Sequence, residues 1–337
     1  MEQGESGEDS RTHARTRRDL IVAAGIAAPA LLLQRRAYAA DADFPARDII
    51  FIVPYSAGGG FDNYVRAIAP VMEKYLPNKV SIVPTNVASG NGSRGINQLY
   101  RAKPDGHTIG IFNIPGMFIL QQEGGAGYDL AKFTWLGSMG RDNYGLGVAW
   151  TSPVKSVADL RALSQTRPIK FTTTGPEGTA YAATLIGAEL LGIKAQLITG
   201  YKGSSDYVVG AIRGDGDAVV TALPILRRMR QGQALRILAT FEDHGSEDNV
   251  DDATTLGQPG LSQIVLERLI GAPPDLPART QTILADALAK AMKDPQVLAW
   301  AKKAGVDVKA ESPDEAAAIV RDQAAFFDKW KKILIAG

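Results

Sequence analysis

"DIIFIVPYSAGGGFDNYVRAIAP", residues 48–70, joins an apolar run, a glycine-rich turn and a stretch with helical periodicity. The apolar run is short and rich in β-branched residues, which is typical of a buried parallel strand, and Pro54 closes it. After the glycines, Val65, Ile68 and Met72 recur on one side of a helix. The stretch therefore predicts a strand, a tight turn and a helix in succession.

The same alternation continues along the chain. Residues 79–86 and 107–115 are strand candidates, and residues 92–102 between them are a helix candidate. A comparable series starts near residue 145, and the tail from about residue 261 is mostly helical in pattern. This order favours a parallel sheet with helices on both faces. We therefore predict an α/β fold with two α/β series. The first series begins at residue 48, the second begins near residue 145, and the C-terminal helices pack on the first series.

Composition narrows the function classes. The chain has 337 residues, 45% hydrophobic and 22% charged, which suits two packed domains and excludes a disordered chain. The formal net charge of +1 provides no field that would recruit nucleic acid or an anionic membrane. The sequence contains no cysteine, so disulfides, thiolate catalysis and iron–sulfur clusters are excluded. Small neutral or acidic molecules remain possible as ligands.

The N-terminal segment has the features of an export signal. A basic front precedes an apolar stretch at residues 20–33, and a small-x-small cleavage motif ends at Ala39. The apolar stretch has 14 residues, fewer than the ~20 that a membrane-spanning helix needs. Arg17 and Arg18 resemble the pair of a twin-arginine signal. We expect residues 1–40 to be cleaved near Ala39 during export to the periplasm.

Three glycine-rich loops lie where a strand candidate meets a helix candidate. They are the first glycine loop (residues 55–62), the second glycine loop (residues 88–93) and the third glycine loop (residues 174–179). Free backbone N–H groups and the positive end of the helix dipole make such junctions anion sites. A tight turn with Asp62 as the helix N-cap is the alternative for the first loop taken alone. The three together favour a carboxylate or another small anion held between domains.

Other kinds of site find no support in the sequence. The first glycine loop lacks the Gly-Lys-Ser/Thr ending of a Walker loop and the last glycine of a dinucleotide fingerprint. His13, His107 and His244 are far apart in sequence, which disfavours a histidine zinc site. Residues 242–252 are acidic but lack the EF-hand pattern, and Ser56 follows no G-x-S-x-G elbow. No catalytic residue, metal or cofactor is predicted.

Four segments of the chain resemble a known family, the extracytoplasmic solute receptors of tripartite tricarboxylate transporters, also called the Bug family. The segments are residues 48–70, 77–111, 201–219 and 235–241. The similarity runs in order over nearly the whole chain after the signal. Pro54, followed by the three glycines and the aspartate of the first glycine loop, is specific to the family in combination with "KPDGHT" at residues 103–108.

The resemblance implies a periplasmic-binding-protein fold of the second type. One α/β lobe would comprise residues 41–145 and 262–337, and the other residues 146–261. The first and second glycine loops would hold a ligand carboxylate, and the second lobe would add the third glycine loop and the region around residue 202. The candidate ligand-binding residues are Tyr55, Ser56, Ala57, Gly58, Gly59, Gly60, Phe61, Asp62, Ala88, Ser89, Gly90, Asn91, Gly92, Ser93, Asn113, Thr174, Gly175, Glu177, Gly178, Thr179, Lys202, Ser204 and Thr221.

Two departures from the family pattern bear on the ligand. Phe61 stands where the family often has threonine, which adds an aromatic surface to the first glycine loop. Thr221 replaces an aspartate that is frequent in the family. Loss of that acid removes the partner expected for a ligand amine, so plain carboxylates are favoured over amino acids.

The resemblance further implies a monomeric receptor without enzymatic activity. Its ligand would be a di-, tri- or aromatic carboxylate, and its partners the permease subunits of a tripartite tricarboxylate transporter. The residues themselves leave two alternative functions open. One is a receptor that signals to a sensor kinase, and the other is an exported hydrolase or transferase that uses the glycine loops as oxyanion donors.

Overall fold

The computed structural model describes residues 43–336, except residues 123, 125, 177 and 202 and the side chains of residues 335 and 336. The predicted export signal lies outside the described residues. The chain divides into two compact units, Met1–Phe44 and Pro45–Gly337, and all elements named here lie in the second. No helix within the described part of the chain is long and apolar enough to cross a membrane.

The described residues form nine strands and ten α-helices. In chain order they are β1 (Ile49–Val53), α1 (Gly60–Glu73), β2 (Ile82–Asn86), α2 (Ser93–Tyr100), β3 (Thr108–Ile114), α3 (Gly116–Gln122), β4 (Thr134–Ala149), α4 (Val157–Thr166), β5 (Ile169–Thr172), α5 (Thr179–Leu190), β6 (Ala195–Ile198), α6 (Ser204–Arg213), β7 (Val219–Ala222), α7 (Leu223–Gln231), β8 (Leu235–Thr240), β9 (Val265–Ala272), α8 (Ala278–Lys293), α9 (Pro295–Ala304) and α10 (Pro313–Ala336).

Strands β1, β2 and β3 form the parallel sheet that the sequence predicts. β1 lies in the middle, paired with β2 on one side and β3 on the other. The register places Val53 opposite Asn86 at the carboxyl ends of β1 and β2. Both strands therefore deliver their following loops to the same edge of the sheet.

The long strand β4 continues this sheet into the second series. Its residues up to Asn143 pair antiparallel with β9, and its residues from Tyr144 pair antiparallel with β7 and β8. The sheet order is β2-β1-β3-β9-β4-β7, with β8 also on β4, while β5 and β6 form a separate parallel pair. The predicted lobe boundaries at residues 145 and 261 stay a prediction, and the change of strand partners lies close to the first of them.

The prediction that the tail from about residue 261 is mostly helical is confirmed by α8, α9 and α10, but it missed the strand β9. This strand sits between β3 and β4 in the middle of the large sheet. Glu267 and Arg268 interrupt its apolar pattern, and both are buried. Each has a partner on β4 that sequence spacing does not reveal, since Arg268 pairs with Asp142 and Glu267 with Arg141. The two adjacent charges in the sequence of β9 are therefore the reason why this central strand was not predicted.

Within the described residues, helices cover the sheet and complete three apolar cores, two of which are joined by the C-terminal tail. One core gathers Ile52, Leu99 and Phe112 of the first series, and another gathers Leu146, Phe171 and Ile186 of the second. Helices α8 and α9 pack on α1, as predicted for C-terminal helices that return to the first series. Helix α10 joins both cores: its Ala316 and Val320 lie in the first, and its Phe326 and Phe327 lie in the second.

Candidate functional site

The first glycine loop ends in a helix N-terminus that no side chain caps. Gly58 has a φ of +79°, a left-handed conformation that favours glycine. Gly59 is the N-cap of α1, and no side chain bonds to the first N–H groups of the helix. Asp62 is the third helical residue and not the N-cap, so the alternative role considered for it is wrong. The N–H groups at the start of α1 therefore remain available to an anion.

The Asp62 carboxylate lies behind the loop and fixes its shape. Its side chain is 1% exposed. Oδ2 accepts hydrogen bonds from the Gly58 N–H and the Arg66 Nε, both at 2.8 Å, and Oδ1 accepts one from Asn86 Nδ2 at 2.9 Å. The hydrogen bond from Arg66 is the main cause that lowers the pKa of Asp62 to about 2. Asp62 is thus a structural anion whose oxygens are engaged within the protein.

The second glycine loop lies directly against the first. Gly90, Asn91 and Gly92 have φ angles of +53°, +48° and +99°, so the loop makes three successive left-handed steps before α2. A Cβ on Gly92 would lie 3.3 Å from the Tyr55 ring, and one on Gly95 would lie 3.0 Å from Pro54. Only glycine permits this approach. The prediction that both loops share one sheet edge is confirmed.

Asn113 connects the first series to the second. Its side chain is hydrogen-bonded to the Tyr55 phenol, and its Oδ1 accepts a hydrogen bond of 3.1 Å from Thr179 Oγ1 at the start of α5. Burial raises the pKa of Tyr55, so the phenol stays protonated. Phe61 packs on Tyr55 with ring centroids 4.7 Å apart. Tyr55, Phe61, Asn113 and Thr179 therefore meet at one place, as expected of a shared site.

The remaining candidate ligand-binding residues of the second series have different surroundings from one another. Thr174 Oγ1 is buried and has no hydrogen-bond partner among the described residues. Gly178 is the N-cap of α5, where a Cβ would collide with the Thr174 side chain. The Thr221 hydroxyl is buried and shares a hydrogen bond of 2.7 Å with the Tyr207 phenol. Glu177 and Lys202 lie outside the described residues, so their predicted roles stay predictions.

The helices that follow the predicted ligand loops share a glycine at the N-cap. The N-caps of α1, α2, α5 and α6 are Gly59, Gly92, Gly178 and Gly203, and none of these four N-termini has a side-chain cap. By contrast, a reciprocal capping box with Ser156 closes α4, and Asp294 caps α9. Side-chain caps satisfy N–H groups that would otherwise be free. Helices α7 and α8 also lack a side-chain cap, but their N-caps are Ala222 and Pro277. A glycine N-cap without a side-chain cap is therefore what the helices at the predicted ligand loops share, with Ser204 as the first residue of α6.

A buried ion pair beside the first glycine loop escaped the sequence analysis. The Arg268 guanidinium lies 5.5 Å from the Phe61 ring centroid and 4.3 Å from that of Tyr64. Its Nη2 donates a hydrogen bond of 2.5 Å to Asp142 Oδ2. Burial raises the pKa of the neighbouring Tyr144, with smaller contributions from Tyr207 and Asp142, while Arg268 lowers it. The one signal in the sequence was a pair of charges inside an apolar run at residues 265–272.

A metal site finds no support among residues 43–336 outside the omitted positions, because these contain no group of three His, Asp or Glu residues that could hold an ion. The polar groups that converge at the loops are backbone N–H groups, hydroxyls, a carboxamide and a guanidinium. Such donors suit an anion with oxygen acceptors.

Comparisons with known proteins agree with this geometry. The chain is 26% identical over 328 residues to the UPF0065 protein in the tcbD-tcbE intergenic region of Pseudomonas sp. strain P51, with 93% of each chain covered. The structure of the periplasmic binding protein BugD is similar with a TM-score of 0.71 and 20% identity, covering 86% of this chain and 98% of that one. Rhodopseudomonas palustris Rpa4515, solved with adipate, gives a TM-score of 0.73 and 23% identity, covering 87% and 98%.

These structural similarities confirm the predicted periplasmic-binding-protein fold. A family model described as the tripartite tricarboxylate transporter family receptor matches residues 64–336, most of the chain. The chain therefore belongs to the tripartite tricarboxylate transporter receptor family.

Proposed function

We propose that this protein is a periplasmic receptor that binds a small organic carboxylate and delivers it to the permease of a tripartite tricarboxylate transporter. Membership in the receptor family supports the transport role. The adipate in the Rpa4515 structure supports a carboxylate as the class of ligand. The export features of residues 1–40 support the periplasmic location.

One observation supports a carboxylate as the ligand: the helices that follow the glycine loops begin at glycine N-caps without side-chain caps. Free N–H groups at a helix N-terminus attract anions, because the helix dipole adds to their hydrogen-bonding capacity. A carboxylate has enough acceptor sites to bond several such donors at once. Its carbon skeleton would lie against the rings of Tyr55 and Phe61.

The contact between Asn113 and Thr179 supports a closing mechanism. It joins β3 of the first series to α5 of the second at the place where Tyr55 and Phe61 lie. A ligand held by both series stabilises the arrangement in which they are close, because only that arrangement offers all its contacts. The permease would then recognise the ligand-bound form. This role is binding without catalysis.

Isothermal titration of the purified protein with a panel of carboxylates tests the proposal. The panel comprises malate, adipate, citrate and benzoate, and the corresponding neutral amides serve as matched controls. We expect at least one carboxylate to bind and its amide to bind far more weakly, because the amide carries no charge for the helix N-termini. Failure of every carboxylate, or equal binding of acid and amide, would refute the proposed ligand class.

A further inference from the structure

Arg268 carries a positive charge into the interior with part of its hydrogen-bonding capacity unused. The residue is 6% exposed and lies in the middle of β9. Its Nη2 bonds to Asp142, but Nε and Nη1 have no hydrogen-bond partner among the described residues. Charged donors that are buried without an acceptor cost free energy. This makes Arg268 unusual for a residue whose role is only structural.

The Arg268 side chain lies on the face of the sheet that carries the candidate site. In the antiparallel pairing of β3 and β9, Arg268 is directly opposite Asn113. Side chains of directly opposed residues project from the same face and lie next to one another. Asn113 contacts Tyr55 and Thr179 on that face. The guanidinium is therefore a neighbour of the residues that join the two series.

The rings beneath Arg268 connect it to the first glycine loop. Phe61 is the second residue of α1, and its ring centroid lies 5.5 Å from the guanidinium carbon. The Phe61 side chain therefore links the guanidinium to the uncapped N-terminus of α1. Tyr64, one helical turn further on, lies 4.3 Å below the same carbon. Stacking on two rings fixes the plane of the guanidinium and hence the direction of its free N–H groups.

Nearby acidic groups leave Arg268 free to accept a second anion. Asp62 is paired with Arg66. Glu267 points to the opposite face of the sheet, because neighbouring residues of a strand alternate, and it faces Arg141 at 3.4 Å. Asp142 occupies one nitrogen of Arg268, and a guanidinium offers five N–H donors in a planar fork. Two carboxylates can therefore bond to one arginine.

We propose that Arg268 is a ligand-binding residue that donates from Nε and Nη1 to the ligand carboxylate lying at the N-terminus of α1. Asp142 holds the guanidinium in place through Nη2. The inference rests on the proposed carboxylate-receptor function and identifies the side chain that carries the positive charge of the site. Specificity for an acid over its amide then comes from Arg268 as well as from the helix N-termini.

Titration calorimetry on three variants tests this, with malate, adipate, citrate and benzoate as probes and their amides as references. Arg268→Met should weaken binding of the best carboxylate by about ten- to a hundredfold, as expected for a lost charged hydrogen bond, and should reduce the preference for acid over amide. Asp142→Asn should weaken binding less than Arg268→Met does, because the amide oxygen can still accept a hydrogen bond from Nη2 and hold the guanidinium. Arg141→Met, on the opposite face of the same sheet, is the matched control and should bind as the wild type does.

The outcomes separate the two proposals. If the wild type binds none of the four carboxylates, the receptor proposal fails, and the role of Arg268 fails with it. If the wild type binds but Arg268→Met retains its affinity and acid preference, only the Arg268 inference is overturned. Equal weakening by Asp142→Asn and Arg268→Met in folded protein would also overturn it, since that result marks a structural pair. Should Arg268→Met not fold, the double variant Asp142→Leu/Arg268→Met removes both charges, and the same loss of binding is expected.

Discussion

Asp62→Asn removes the buried anion behind the first glycine loop and keeps the shape of the side chain. Three donors converge on the carboxylate, from Gly58, Arg66 and Asn86. These contacts lower the pKa of Asp62 from 3.8 to about 2. Each pH unit of such a difference between folded and unfolded chains corresponds to about 1.4 kcal/mol, so ionised Asp62 stabilises the fold by about 2 kcal/mol.

The sign of this effect fixes its pH dependence. The folded-state pKa lies below the unfolded one, so the stabilisation is fully present above the unfolded pKa of 3.8 and is lost as the pH falls through about 2. Urea unfolding, followed by circular dichroism, should show that Asp62→Asn loses about 2 kcal/mol of unfolding free energy at neutral pH. The difference from wild type should shrink as the pH falls below about 4.

Asp206→Asn is the matched control. Asp206 also occupies the third position of its helix, α6, but it is exposed. Interaction with the helix dipole alone would affect both positions similarly. A loss at Asp62→Asn that stays constant at all pH values, or that equals the loss at Asp206→Asn, would refute the assigned network.

Two further predictions concern the site loop and the buried strand. Gly60→Val should abolish carboxylate binding without lowering the thermal midpoint, because a Cβ at this position meets no protein atom within 4 Å and the side chain enters the open space at the α1 N-terminus. Gly232→Val, remote in sequence from the glycine loops, should bind normally; retained binding by Gly60→Val would contradict the assignment. Burial raises the pKa of Glu267 from 4.5 to about 7, so its ionised form destabilises the fold. Glu267→Gln should therefore raise the unfolding free energy at about pH 8 by up to about 3 kcal/mol, with the gain vanishing below about pH 4.5; no gain at the higher pH would be the contrary result.

The sequence was informative where local chemistry decides the structure. The strand–glycine–helix order of residues 48–70 predicted β1, the first glycine loop and α1, because glycine turns and helical periodicity are local signals. The capping box that Ser156 forms at the start of α4 is a local feature of the same kind. These features depend on residues that are neighbours in sequence.

Features that depend on distant partners could not be read in this way. Strand β9 was missed because Arg268 looks like a solvent-exposed charge until Asp142, 126 residues away, becomes its partner. The contact between Asn113 and Thr179 joins residues 66 positions apart and also has no local signature. The alternative role of Asp62 as an N-cap is wrong for a local reason. An aspartate near a helix start resembles an N-cap in the sequence, even where its side chain bonds to the loop behind it instead.

A crystal structure of the protein with its best-binding carboxylate tests the central claim most directly. The account predicts that one ligand carboxylate lies at the N-terminus of α1, with its oxygens about 2.7–3.2 Å from the backbone nitrogens of Gly60 or Phe61. It also predicts that groups from the second series, around Thr179, contact the same ligand. A carboxylate bound elsewhere, with no hydrogen bond to the start of α1, would contradict the account.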